Sequence, residues 1–371
     1  LYEAGYPEYE VNWTYSQRNH SVLLRVKQKQ IGTIFKMPVN IRIDDDIHTV
    51  WVEEKELVHE IPVPVKPELV IFNSGMMIPC DLTFDKSISE WILQLEKGPH
   101  ILDRIAAIQE LKKKKGRRNV ELALLNAAKS DPFWGVRKEA IDGFAALKSK
   151  RYFKDLIELS DNQDNRVRRA IWNSLKNYKN NDEVSQFLQN IIETDKKYYS
   201  VSDAFRALTV VDTVAAREKV DKLLKTDSHN DVIRKSAIAY YGSVKNDKNY
   251  MKLKELSKYG GTTWDARPET INQLSKYAKD KPEALDLFVE YLDDNSRSVR
   301  RNAVRALGRN GTKYHLGYLD DVLARDPIIE RSVRAAKKNI LNPSKKSEKT
   351  KTEKEIEKLN QKLDDIRKII N

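Results

Sequence analysis

A short pattern, apolar-Arg-x-x-small-apolar-x-x-Leu, returns about every 33 residues from Asp103 onward and constrains this chain more than any other feature. It is clearest at Val299-Arg300-Arg301-Asn302-Ala303-Val304-Arg305-Ala306-Leu307. Aligned on the arginine, the units carry Arg104, Arg137, Arg168, Ser202, Arg234, Arg267 and Arg300, with successive differences of 33, 31, 34, 32, 33 and 33. Within a unit the apolar residues keep helical spacing: Val167, Ala170, Ile171 and Leu175 form one stripe, and Ile233, Ala237, Ile238, Tyr241 and Val244 another. A helical period inside a repeat of this length predicts stacked helical hairpins, a HEAT-like α-α superhelical solenoid. Such a stack supplies surface rather than an enclosed reaction chamber. Asp-containing turns precede several of these helices, at Asp131-Pro132, Asp161 to Asp164, Asp227-Ser228 and Asp293 to Ser296. Their side chains suit the unpaired N–H groups of a helix start, and Pro132 and Pro268 suit a first turn. The unit at Arg267 is degenerate elsewhere, and the register around Ile329 to Leu341 is ambiguous, as expected of a capping unit.

Before the repeats the period is two. Alternating segments at Tyr9–Tyr15, Ser21–Gln28, Met37–Ile43, His48–Val52 and Glu56–Ile61, with the apolar run Leu69–Phe72, predict a small antiparallel β-sandwich over residues 1–84. The helical region then spans 85–342. After Pro343 the chain turns lysine-rich, and Ile356, Leu359, Leu363, Ile366 and Ile370 fall at heptad spacing; 343–371 reads as a linker and a short docking helix. The fold class is therefore mainly α, with a β-sandwich in front.

Composition narrows function mostly by exclusion. No apolar run reaches the length of a membrane span, and the opening Leu1-Tyr2-Glu3-Ala4-Gly5-Tyr6-Pro7 has neither the basic nor the apolar part of a signal peptide. It reads as a cut inside a longer protein. The net charge of +12 admits an acidic partner, but 55 acids are interspersed with the 67 bases. The one dense cluster, Lys112 to Arg118, falls where a solvated loop between helices is expected, so no nucleic-acid partner is read from it. Cys80 stands alone, between Pro79 and Asp81 and far from any His, and reads as an inert thiol. Gly260-Gly261-Thr262-Thr263 lacks the strand and lysine of a phosphate loop, and no Ser sits in a nucleophile elbow.

Three segments carry a resemblance. Gly5-Tyr6-Pro7 with the strands that follow, Lys66-Pro67-Glu68-Leu69-Val70-Ile71-Phe72-Asn73-Ser74-Gly75, and Leu102-Asp103-Arg104-Ile105-Ala106-Ala107-Ile108-Gln109-Glu110-Leu111 resemble the sandwich domain and first following helices of aminopeptidase N-like (alanyl aminopeptidase, gluzincin) zinc metallopeptidases. The resemblance implies the C-terminal, non-catalytic portion of such an enzyme, covering about residues 1–340. It implies a catalytic region with Zn²⁺ outside this chain, which would remove the first residue of a peptide. The helical domain would close the substrate chamber, with that region and peptide substrates as partners. The family's own machinery is not matched here. His59-Glu60 opens like H-E-x-x-H, but Val63 stands where the second His belongs, and Pro62 and Pro64 forbid the helix that would align them. Gly75-Met76-Met77-Ile78-Pro79 lacks the Glu and Asn of the exopeptidase strand. Catalytic, cofactor and metal residues are accordingly expected to be none in this chain. The repeat arginines read as an inter-repeat ladder with the turn aspartates, the sharper alternative being a substrate-facing surface. A helical-repeat protein-binding scaffold without peptidase activity is the competing function.

Overall fold

A computed structural model describes residues 5–161 and 164–342, so the heptad-spaced segment from 343 to 371 lies outside the described residues. Seven strands come first: β1 (Glu8–Ser16), β2 (Ser21–Gln28), β3 (Met37–Ile43), β4 (Asp46–Val52), β5 (Glu56–Pro62), β6 (Val70–Phe72) and β7 (Asp81–Phe84). They form a four-stranded sheet in the order β5-β2-β1-β7 and a three-stranded sheet in the order β4-β3-β6. Alternation decides the faces. Tyr9, Val11, Val22, Leu24 and Val26 of the first sheet are buried, as are Val39, Ile41, Ile43, Val50 and Val52 of the second. The rings of Tyr9 and Phe72 meet edge-on across the two sheets at 5.3 Å. One pairing departs from the expected antiparallel pattern. β7, which the period-two reading passes over, runs parallel to β1 from Glu8↔Asp81 to Val11↔Phe84.

The helices pair as hairpins. In the part of the chain up to Ala215 they are α1 (Ile88–Lys97), α2 (Ile101–Leu111), α3 (Arg118–Ser130), α4 (Trp134–Leu147), α5 (Phe153–Glu158), α6 (Asn165–Leu175), α7 (Asp182–Thr194) and α8 (Tyr198–Val211). α9 (Thr213–Lys225) spans the division between two compact units. The second unit then holds α10 (Val232–Ser243), α11 (Asp247–Ser257), α12 (Arg267–Leu274), α13 (Ala284–Glu290), α14 (Arg297–Asn310), α15 (Leu316–Arg325) and α16 (Glu330–Leu341). The second helix of each hairpin packs on the second helix of the next: α2 on α4, α4 on α6 and α6 on α8 in the first unit. In the other unit the same holds for α10, α12, α14 and α16. The apolar stripes do this work. Val167, Ala170, Ile171 and Leu175 are buried in α6, as are Ile233, Ala237, Ile238 and Tyr241 in α10. Gly308 shows how close the stack is, because a Cβ there would come within 2.7 Å of Ala336 Cα on α16.

Helix starts follow the turn residues with adjustments. Asp164 accepts the Arg166 N–H and Ser228 Oγ accepts that of Ile233. Pro268 occupies the first turn of α12. Pro132, by contrast, precedes α4, whose first residue is Trp134. Between sandwich and helices the contact is both apolar and polar, with the buried Phe84 ring of β7 meeting that of Trp91 on α1 edge-on at 6.5 Å. Asp103 of α2 accepts Ser74 Oγ at 2.9 Å and the Gly75 N–H at 2.7 Å, where Gly75 adopts a φ of 77°. Asp103's carbonyl takes Gln94 Nε2 at 2.8 Å, and Gln94 Oε1 takes the buried Lys86 ammonium at 2.6 Å.

Candidate functional site: an arginine and aromatic face on the second helices

The repeat arginines turn away from the surface. Arg104 donates from Nε to Asp131 Oδ2 at 2.6 Å and from Nη1 to the Gly98 carbonyl at 3.0 Å. Asp131 in turn accepts the Phe133 N–H, and its carbonyl accepts Arg137 Nη1 at 2.7 Å. Arg104 therefore ties its own loop to the next one, which Arg137 also holds. Arg168 reaches Asp195 at 2.7 Å, Arg267 reaches Asp294 at 2.5 Å, and Arg300 reaches Asp326 at 2.5 Å. The partner lies 27 residues on for Arg168 and Arg267 and 26 for Arg300, one repeat less the length of the loop. Asp294 links two rungs, since its carbonyl takes Arg300 Nη1 at 2.6 Å. These pairs sit in the protein: the Arg104 and Asp131 side chains are 11% and 5% exposed. The Arg300 guanidinium holds the Asp326 carboxyl below the usual carboxylate range. Arg234 is the variation, bonding Asp227 at 2.6 Å and Asp231 within its own unit. The arginines thus form the ladder that their spacing implies.

What faces outward on α4, α6 and α8 is a different set. On α6 and its C-cap, Arg166, Arg169, Asn173 and Lys176 follow at helical spacing on the side opposite the buried stripe. The Arg166 guanidinium lies over the Trp134 ring of α4 at 3.3 Å, and that of Arg169 lies 4.8 Å from the Tyr199 ring of α8. Lys138 pairs with Asp142 at 2.7 Å and Arg169 with Asp203 at 2.5 Å. Arg166 holds Asp164 at 2.8 Å and depresses its carboxyl to about 2. Trp134, Lys138, Asp142, Arg166, Arg169, Asn173 and Asp203 line an open groove of about 430 Å³ floored by Ala170. The sequence reading missed this face, although the spacing of Arg166, Arg169, Asn173 and Lys176 was its visible signal. The ring partners come from neighbouring helices, so only the fold brings them together.

A larger cleft of about 940 Å³ opens beside β1 and α1, with Trp13 and Tyr15 among its walls. Two of the acids in its lining are engaged. Glu90 accepts the Trp13 indole at 2.9 Å and the Ser87 hydroxyl at 2.7 Å, and Glu68 pairs with Lys97 at 2.9 Å. Burial pushes the Glu90 carboxyl up, but those hydrogen bonds outweigh it and keep it below the usual range. The other sequence candidates separate in space. His59 and Glu60 lie on strand β5, where Glu60 accepts the Ser21 and Asn19 side chains at 2.5 and 3.0 Å. Cys80 is half-buried beside Asn73, and burial pushes its thiol up. Lys113 to Arg118 form an exposed turn and the start of α3. Gly260 and Gly261 belong to the loop between α11 and α12. Among the described residues no three His, Cys, Asp or Glu side chains gather to hold a metal ion, and no helix is long and apolar enough to cross a membrane.

Comparison with known proteins places the fold. Residues 121–209, which run from α3 to α8 and include the groove, match HEAT repeats. No curated protein matches the chain. Among solved structures it is similar to Legionella pneumophila aminopeptidase A, determined in complex with aspartic acid, with a TM-score of 0.58 and 12% identity. That likeness covers 91% of this chain and 49% of the enzyme, so the chain spans about half of its length. At that identity the likeness establishes architecture alone. Human deoxyhypusine hydroxylase, determined with glycerol, aligns over 67% of this chain and 94% of its own at 15% identity, but its TM-score of 0.33 carries no argument.

Proposed function

We propose that this chain is the non-catalytic C-terminal region of a zinc-dependent aminopeptidase, closing the substrate chamber and shaping access to it. The observation that carries the reading is the order of parts. A β-sandwich followed by helical repeats follows the aminopeptidase architecture over 91% of the chain. The described residues do not suit a catalytic zinc, since His59 and Glu60 sit on a strand and no third donor among those residues joins them. Metal, water activation and bond cleavage would belong to a region outside the chain. Within it, the face of α4, α6 and α8 would meet the peptide, and the sandwich would act as a spacer.

The test is to read the coding sequence upstream of Leu1 and to express the chain with it. The reading expects H-E-x-x-H with a downstream Glu there, and hydrolysis of single-residue chromogenic amides. In that enzyme, charge reversal at Arg169 should raise KM for longer peptides and leave the chromogenic substrates nearly untouched. An upstream region without the zinc ligands, and no hydrolysis, would favour the second reading, a helical-repeat scaffold for another protein. The confinement of the HEAT match to 121–209, where the groove lies, supports that alternative.

A further inference from the structure

The outward face of α4, α6 and α8 carries more positive than negative charge, and the excess lies at one end. Asp142, Asp164 and Asp203 are each held by one cation, Lys138, Arg166 and Arg169. Lys176, at the end of α6, and Arg206, on α8, have no acid at ion-pair distance among the described residues. The Lys176 ammonium donates to Asn173 Oδ1 instead. Lys176 is half-buried at the end of a helix that packs on α8; burial lowers its pKa, Asp203 pulls it back up and the Arg206 charge, the smaller influence, lowers it further. A helix C-terminus favours one cation, but that does not account for a second one on the neighbouring helix. At the other end of the face lies the Trp134 and Arg166 stack, a flat surface with no anion requirement.

Stacked helices lie 8–10 Å apart, the ten residues from Arg166 to Lys176 cover about 15 Å along α6, and an extended chain advances about 3.3 Å per residue, so a strand running diagonally over three helices from one end of the face to the other needs roughly seven or eight residues. We propose that this face binds an extended acidic polypeptide segment, its backbone resting against the Trp134 and Arg166 stack and a carboxylate held between Lys176 and Arg206. The proposal rests on the reading above only in taking the occupant to be a polypeptide. Asp142 and Asp203 on the same face repel a uniform polyanion, whereas a peptide with spaced carboxylates can place uncharged residues beside them. A polypeptide therefore fits the face better than nucleic acid does.

The experiment titrates the full 371-residue chain with a fluorescent, end-blocked, glutamate-containing peptide of about nine residues, enough to cross three helices. The control is the same peptide with Gln for Glu. Saturable binding is expected, about tenfold weaker for the Gln peptide and for the Lys176→Gln/Arg206→Gln variant, with that variant melting as the parent does. Higher salt should weaken the Glu peptide more than the Gln peptide. Equal affinity for the two peptides overturns the proposal, as does undiminished binding by the variant, no binding at all, or tighter binding of a DNA duplex through the same two residues. Blocked ends separate this test from peptidase activity. Peptide binding without zinc ligands upstream would sink the aminopeptidase reading alone, and zinc ligands without peptide binding would sink this proposal alone.

Discussion

Arg168 and Arg169 are neighbours on α6, yet they belong to different parts of the molecule. Arg168 points along the loop edge to Asp195, with its side chain 25% exposed and that of Asp195 8%. Arg169 points onto the outer face, 39% exposed, toward Asp203 and the Tyr199 ring. One step of a helix is about 100° of rotation, so adjacent residues of the same type enter unlike surroundings. The ladder edge is dense and closed: Arg168 spends a donor on a carboxylate, and Arg104, Arg267 and Arg300 add backbone carbonyls to theirs. The outer face is open and keeps two cations, Lys176 and Arg206, with no acid at ion-pair distance among the described residues. Arginine count alone therefore says little about this chain; the position within the repeat says what each one does.

The largest expected effect lies on the ladder. Arg104→Ala leaves Asp131 buried with its strongest donor gone, and Arg267→Ala does the same to Asp294. Breaking one side of such a pair costs about 3–5 kcal/mol. Denaturant unfolding should show it as a lower midpoint. A loss no greater than that of an exposed arginine would erase the distinction between edge and face.

A third kind of cation sharpens the comparison. Lys86 is as buried as the ladder arginines but has no carboxylate at ion-pair distance among the described residues. Its ammonium lies 4.5 Å from the Phe84 ring and 4.8 Å from the Trp91 ring. Burial pulls its pKa down to about 7, with Glu90 and Asp103 opposing. The unfolded chain holds that proton up to the ordinary lysine range near 10.4, so between about 7 and 10 it binds more protons than the native state. Stability should rise with pH across that window and level off below it. At about 1.4 kcal/mol per pH unit, the change across that window is on the order of 4 kcal/mol. Comparing the pH dependence of unfolding for the parent and Lys86→Met checks this, and identical slopes would contradict it.

Much of this was legible in advance. Half-buried strands alternate, so five of the alternating segments matched strands nearly residue for residue, and the stripe of Val167, Ala170, Ile171 and Leu175 identified α6. β7 was not legible: with Phe84 as its one buried residue it has no period to read, and its parallel partner lies at the other end of the domain. The Arg267 unit looked degenerate, but the ladder needs only Arg267 and Asp294, and both are there. Val333 falls 33 residues after Arg300, in the last described repeat, and is buried against its neighbours. The groove was hidden for a different reason. Charged residues on an outward helix face look like any solvated surface until Trp134, Arg166 and Tyr199 are seen on adjoining helices.

The smallest expected effect is on the face. Arg166→Ala and Arg206→Gln remove exposed or unpaired cations, and stability should change by no more than about 0.5 kcal/mol. A thermal melt that falls as far as that of Arg104→Ala would mean the face is structural.

The most direct measurement takes two variants of the full chain, Arg168→Ala and Arg206→Gln, and records for each the melting temperature and the affinity for the blocked acidic peptide. The account predicts a lower melting temperature and parental affinity for Arg168→Ala, and a parental melting temperature with markedly weaker peptide binding for Arg206→Gln. The reverse pattern, or equal losses of both properties in both variants, would contradict it.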